Sequence, residues 1–144
     1  VTIRPKYEIA RTLTKAEEAD AYELVTLRDG NTCGFHAPEC MGAVQRDHRQ
    51  NRRPGNTVVS NLQCLCVIHH KWKTEHPKDA IAEGWAVPGN PTAEPSEWPA
   101  RRWLRTAYGT RRLAWVLYTD DSGVTEITEE EAHSRMESMG WRAA

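Results

Sequence analysis

All four cysteines and five of the six histidines of this 144-residue chain fall within residues 33–76. The segment opens with Cys33-Gly34-Phe35-His36-Ala37-Pro38-Glu39-Cys40, a run too irregular for a regular element. A short stretch that pairs thiols with imidazoles and has few apolar residues points to a metal ion in place of part of a core. Two disulfides in a secreted chain are the competing use of four cysteines. No charged start followed by an apolar stretch and a small-residue cleavage site opens the sequence, so metal ligation is the better reading. Every apolar run falls well short of the roughly 20 residues that span a bilayer. The expectation is a soluble, cytoplasmic, single-domain protein with no membrane partner.

The 19 Lys+Arg and 20 Asp+Glu nearly cancel, but they are segregated along the chain. Residues 33–78 carry seven basic and three acidic side chains, residues 101–112 carry five Arg and no acid, and residues 113–144 carry two Arg against seven acids. A partner responds to the local field, so the middle of the chain suits a polyanion such as nucleic acid although the whole is not basic.

Three segments follow: 1–32, 33–89 and 90–144. The first is predicted to be helical, because Thr14-Lys15-Ala16-Glu17 has capping-box form, Leu13, Ala21, Leu24 and Val25 fall near one face, and Gly30 is a stop. The proline-rich run from Pro88 through Pro91 and Pro95 to Pro99 reads as a linker. Beyond it, residues 99–108 are predicted as a short helix ended by Gly109, with Trp103, Leu104, Ala107 and Tyr108 on one face and Arg101, Arg102 and Arg105 on the other. Residues 113–118 and 124–127 read as a hairpin, and Thr128-x-x-Glu131 opens a last helix. Pro77 starts and Gly84 ends another short helix, with Ile81 and Trp85 packing back. Trp72, Trp85 and Trp103 are expected in the core, and His133 on the surface.

Cys33-x6-Cys40 and Cys66-x2-His69 are two ligand pairs that can close one tetrahedral shell. His36 and Cys64 compete for places in it, since Cys33-x2-His36 is also a ligand-like spacing, whereas Cys64-x-Cys66 is tight for one ion. A second constellation comprises Asp47, His48, Asn61 and His70, types suited to hydrolysis with a hard divalent cation. A carboxylate and an imidazole hold an ion, another imidazole takes a proton from water, and an amide orients that imidazole or joins the ion. Cys66 and His69 share a segment with His70, so a structural metal would also place His70.

Residues 33–74 resemble the HNH endonuclease family in the order and spacing of Cys33 and Cys40, Asp47-His48-Arg49, Asn61-Leu62, and Leu65-Cys66-x-x-His69-His70-x-x-Lys73-Thr74. His69 stands where many members have a second Cys, and the first pair is spread by six residues rather than two. The resemblance implies an α+β fold with a zinc-stapled ββα-metal core, flanked here by an N-terminal helix and a helix/hairpin/helix appendage. It implies Zn2+ on Cys33, Cys40, Cys66 and His69, and a catalytic Mg2+ or Mn2+ on Asp47 and His70. His48 is then the general base, and Asn61 positions its loop or contributes to the ion. The implied reaction is phosphodiester hydrolysis in double-stranded DNA, leaving 5′-phosphate ends.

Arg46, Arg49, Arg52, Arg53, Lys71 and Lys73 are candidate phosphate contacts, with Lys73 on the His70 face. One motif copy cuts one strand, so a monomer nicks and a homodimer or partner is needed for double-strand cleavage. Similar compact proteins serve phages, homing elements or restriction systems, in a bacterial or phage-infected cell. Residues 90–144 are the candidate surface for an assembly partner. The rival from another class is a zinc-stabilised nucleic-acid-binding or assembly module that hydrolyses nothing.

Overall fold

A computed structural model describes residues 12–90 and 92–141. Residues 1–11, Pro91 and residues 142–144, which the readings above include, lie outside the described residues. The elements run α1 (Lys15–Asp29), β1 (Val44–His48), a 3-10 turn (Val59–Asn61), β2 (Leu62–Cys66), α2 (Val67–Glu75), α3 (Pro77–Ala82), β3 (Ala100–Arg105), β4 (Arg111–Tyr118), β5 (Val124–Ile127) and α4 (Glu129–Ser138). They form two antiparallel sheets, β1-β2 and β3-β4-β5, so the fold is α+β. No helix among the described residues is long and apolar enough to cross a membrane.

Helix α1 starts where its capping box predicts. Thr14 Oγ1 accepts from the Glu17 N–H at 3.1 Å, and Glu17 Oε1 accepts from the Thr14 N–H at 3.2 Å. Gly30 ends it in the left-handed region at φ 68°. Ala21 and Val25 pack against Val59, Leu62 and Cys64, whereas Leu24 is 37% exposed, so the buried stripe is narrower than predicted.

Strand β2 is buried along its whole length because both faces are covered. Leu62 and Cys64 meet α1, while Leu65 joins Ala80 and Trp85 on the other side. Pro77 opens α3 and Gly84 lies beyond its end at φ +84°. A Cβ at Gly84 would lie 2.6 Å from Arg101 Cγ and from Trp115, so glycine is what lets the second sheet come this close.

The predicted helix over residues 99–108 is instead strand β3 followed by a turn. Arg101, Trp103 and Arg105 share one face by the two-residue period, and β3 pairs with β4 from Ala100↔Val116 to Arg105↔Arg111. This long-range pairing overrides the local helical pattern. The predicted hairpin is present as β4 and β5, with Tyr118 opposite Val124. Helix α4 opens on Thr128, whose Oγ1 accepts from the Glu131 N–H at 3.0 Å.

The proline-rich run is packed rather than loose, with Ala93, Pro95, Trp98 and Pro99 buried. The residues after β1 hold it. Arg49 donates to the carbonyls of Pro95, Trp98 and Pro99 at 3.0, 2.9 and 3.2 Å, and to that of Ser60 at 2.7 Å. Gln50 Nε2 donates to the carbonyls of Pro88 and Ala93 at 2.8 and 3.1 Å. Val87, Ala93, Trp98, Trp115, Ile127, Ala132 and Met136 form a core beneath this strap. Trp85 is buried in the cluster around Leu65, whereas Trp72 and Trp103 are only partly buried.

Arg49→Met leaves these carbonyls without their donor, and urea titration is expected to show a loss of about 3–5 kcal/mol. Arg49→Lys should recover only part of it, because an ammonium cannot span the same fork. Asp29 supplies a second, pH-dependent tie. It accepts from Arg28 Nε at 2.8 Å and from Arg102 Nη1 at 2.5 Å. Burial raises the Asp29 carboxyl, but the hydrogen bonds and charges of Arg28 and Arg102 outweigh it and hold the group below its ordinary 3.8. A depressed folded value contributes stability above the unfolded value, and this is lost as pH falls through the folded one. Asp29→Asn should therefore cost about 2 kcal/mol at neutral pH, and the gap to wild type should close below about pH 4.

Candidate functional site

Cys33 and Cys40 come from the irregular loop before β1, Cys66 is the last residue of β2, and His69 lies in the first turn of α2. Their ligand atoms all lie within 4.8 Å of one another, a grouping that can hold a metal ion. Cys33, Cys40 and Cys66 Sγ stand 3.4, 3.5 and 3.2 Å from His69 Nδ1. Tetrahedral zinc places a thiolate sulfur and an imidazole nitrogen about 3.6 Å apart, so the donor set fits such an ion with little movement.

Glu39 Oε1 sits 3.1 Å from His69 Nε2. With the Nε2–H donating to Glu39, the Nδ1 lone pair faces the three sulfurs. Phe35 stacks on His69 at 3.9 Å and on Trp85 at 4.1 Å, which closes the cluster from the core side. Burial pushes the Cys33 thiol up to about 12. The Cys66 thiol is also raised by burial, but backbone donors at His69 and Met41 and hydrogen bonds to His69 and Cys33 outweigh this and hold it at about 6.

The two competing ligands stand outside the cluster. Cys64 packs with Ala21, Val25, Val59 and Leu62, and burial lifts its thiol to about 11. His36 takes a left-handed backbone at φ 48°, and its Nδ1 accepts from Arg111 Nη1 at 3.1 Å. His76 is exposed, with Nδ1 3.1 Å from the Trp72 carbonyl. His133 is exposed and lies edge-on to Trp115.

The second constellation is only partly brought together. Asp47 Oδ1 and His70 Nδ1 stand 2.7 Å apart. The Asp47 side chain is 2% exposed and that of His70 is 44% exposed, so the pair opens to solvent on the imidazole side. Asp47 Oδ2 accepts from Gln63 Nε2 and pairs with Lys73 Nζ, each at 3.1 Å. Lys73 also donates to the His48 carbonyl at 2.8 Å, so it braces β1 and is not free for a phosphate.

His48 is the last residue of β1, and alternation along the strand turns it away from Asp47, toward Tyr22 of α1. Its Nε2 lies 2.9 Å from Thr57 Oγ1. Burial and the neighbouring Arg52 guanidinium hold the imidazole below its ordinary 6.5, so it is neutral at physiological pH.

Asn61 is completely buried, and its amide is committed to the loop after β1. Oδ1 accepts from the Gln50 N–H at 2.7 Å, and Nδ2 donates to the carbonyls of Gln50 and Asn56 at 3.1 and 2.9 Å. Asn61 therefore shapes the loop and offers no atom to an ion.

Of the basic candidates, Arg49 is spent internally, Arg52 pairs with Glu18 at 3.2 Å and Lys71 pairs with Glu75 at 3.9 Å. Arg46 and Arg53 are exposed on either side of His48 in sequence. Sequence reasoning missed Glu39, Thr57 and Phe35. Of these, only Glu39 carried a signal, as a carboxylate beside the ligand Cys40. No protein-family model, curated protein or solved structure matches the chain.

The purified chain is expected to carry one metal equivalent per molecule, released by a mercurial reagent and counted by a colorimetric chelator. Cys33→Ser or Cys66→Ser should abolish stoichiometric binding, and Cys64→Ala should retain it. Glu39→Gln should weaken affinity by about tenfold.

Proposed function

We propose that the chain is a metal-dependent endonuclease of the HNH type that hydrolyses phosphodiester bonds in DNA, with structural Zn2+ on Cys33, Cys40, Cys66 and His69. The observation that carries this reading is the approach of Asp47 Oδ1 and His70 Nδ1 to 2.7 Å, one residue from His48 and one from His69. Without an ion this contact is a hydrogen bond, and Asp47 Oδ1 and His70 Nδ1 would hold a Mg2+ or Mn2+ in place of the proton between them. Mg2+ or Mn2+ held there supplies positive charge to the phosphate oxygens and the leaving 3′ oxygen.

The protein's own groups do the rest. When the His48 Nε2–H donates to Thr57, the Nδ1 lone pair is free to take the proton of an attacking water. Thr57 is a positioning residue, and Asn61 acts through the backbone that carries both. Because Asp47 and His48 face opposite ways, the scissile phosphate lies across the open end of β1. Arg46 and Arg53 flank His48 in sequence, are exposed, and suit the flanking phosphates.

Conversion of supercoiled plasmid to nicked and linear forms tests the reading. Mg2+ or Mn2+ should support nicking and EDTA should stop it. His48→Ala should reduce the rate by about 10²–10⁴-fold while DNA affinity and zinc content persist. The ratio of nicked to linear product reports whether two copies act together. Wild type and His48→Ala equally inert, but both retarding DNA in a gel, would replace the enzyme with a zinc-stabilised binding module.

A further inference from the structure

The run from Ala100 to Thr119 contains five arginines and no acid. Folding neutralises only part of it. Arg102 is bound to Asp29 and the Arg28 carbonyl, Arg112 is paired with Glu126 of β5 at 2.5 Å, and Arg101 lies over the Trp115 ring at 4.6 Å. Arg105 and Arg111 have no carboxylate partner among the described residues, and they are direct cross-strand neighbours where β3 and β4 meet their turn. Like charges in that position repel unless something neutralises them.

Arg111 Nη1 donates instead to His36 Nδ1 at 3.1 Å, and burial, followed by the guanidiniums of Arg111 and Arg102, holds that imidazole below its ordinary range. The turn beyond carries Tyr108, which is 94% exposed. Between this hairpin end and the loop bearing Cys33 and Cys40 runs an open groove of about 500 Å³ that takes in the sulfur-bearing residues Cys33, Cys40 and Cys66 together with His36 and Arg111, and reaches Val44 at the start of β1. Val44 is four residues from His48, roughly 13 Å along the strand, or about four base pairs of duplex rise.

We propose that the β3–β4 hairpin end is a second contact for the sugar-phosphate backbone of duplex DNA, with Arg105 and Arg111 taking phosphates and the groove beside Arg111 leading the strand toward β1. The pair supplies the cross-strand positive charge that a phosphate neutralises, and Tyr108 presents a ring and hydroxyl to the sugar edge. This inference rests on the nucleic-acid substrate of the proposed function, but not on its hydrolytic step.

The test uses the zinc-loaded full chain with His48→Ala, so that substrate stays whole. Anisotropy of a labelled duplex is followed over a range of salt concentrations. Replacing Arg105 and Arg111 together by Gln should flatten the plot of log affinity against log salt by about 1.8, the share of two phosphates, and weaken binding about tenfold or more near physiological salt. Arg112→Gln, which removes a guanidinium already held by Glu126, should leave the slope unchanged. Zinc content and the thermal midpoint confirm that each variant is folded.

An unchanged slope in the double variant, or no duplex binding by the parent at low salt, overturns the proposal. The two readings separate cleanly. Nicking by wild type with no change of slope removes only the hairpin contact, whereas a reduced slope without any nicking removes only the hydrolase.

Discussion

Three guanidinium groups converge on one aromatic ring. Arg28 of α1 lies 3.8 Å from the centroid of Tyr118, Arg49 after β1 lies 5.4 Å away, and Arg102 of β3 lies 5.9 Å away. Their donors go mainly to backbone carbonyls: Arg28 to Val59 and Leu62, Arg49 to Ser60 and the strap, Arg102 to Arg28. Among the described residues, Asp29 is the carboxylate that accepts from this group. Burial pulls the Arg49 guanidinium down to about 10, still far above neutrality, so the charge is retained inside the protein. Its Nη1 and Nη2 groups meet fixed carbonyl dipoles and its face lies toward a ring, which offsets the cost of burying the charge, while the buried Nε has no hydrogen-bond partner among the described residues. The helix, the loop after His48 and the second sheet are thus held by one polar centre, and the C-terminal third is part of the architecture around the site.

The same centre reaches the candidate base through its neighbours. Arg49 follows His48 directly, its N–H donates to the Asn61 carbonyl at 2.7 Å, and Ser60 is held by Asp120 from the β4–β5 turn through its N–H at 3.1 Å and its hydroxyl at 2.5 Å. On the other side, His69 and His70 are consecutive on α2 and turn their Nδ1 atoms to different tasks, one to three sulfurs and one to Asp47. A metal that fixes His69 therefore fixes His70 through a single peptide unit. Two five-residue strands are too short to impose such geometry alone, which is why sulfur ligands on one end and buried arginine on the other bracket β1 and β2.

What the sequence made legible was local. The caps of α1 and α4, the start of α3 and the β4–β5 turn each depend on residues within a few positions of one another, and all stand where they were expected. The ligand pairs of the sulfur cluster were readable from identity and spacing, although choosing Cys66 over Cys64 depends on the burial of Cys64 beneath α1, which spacing does not carry. Residues 99–108 misled because arginines and aromatics permit either a helical stripe or an alternating strand, and the partner that decides lies in β4. Arg49 resembled a phosphate contact because its partners lie 46 to 50 residues away. Of the prolines that suggested a linker, Pro88, Pro95 and Pro99 provide carbonyls, and Pro95 and Pro99 are buried, a use that composition conceals.

The near balance of charge in this chain is best understood by asking which charges are spent. Glu129, Glu130 and Glu131 sit in the first turn of α4, where the helix dipole favours them, and Glu131 and Glu126 also pair with Arg135 and Arg112. The acidic tail therefore has a folding role and is partly neutralised where it lies. Arg28, Arg49 and Arg102 are turned inward. Removing these from the account, and Arg101, which lies over the Trp115 ring, leaves Arg46, Arg53, Arg105 and Arg111 exposed without a carboxylate partner among the described residues, around β1 and the β3–β4 hairpin. It is this distribution of unpaired guanidinium groups, rather than the net charge of −1, that sets the local field around β1 and the hairpin.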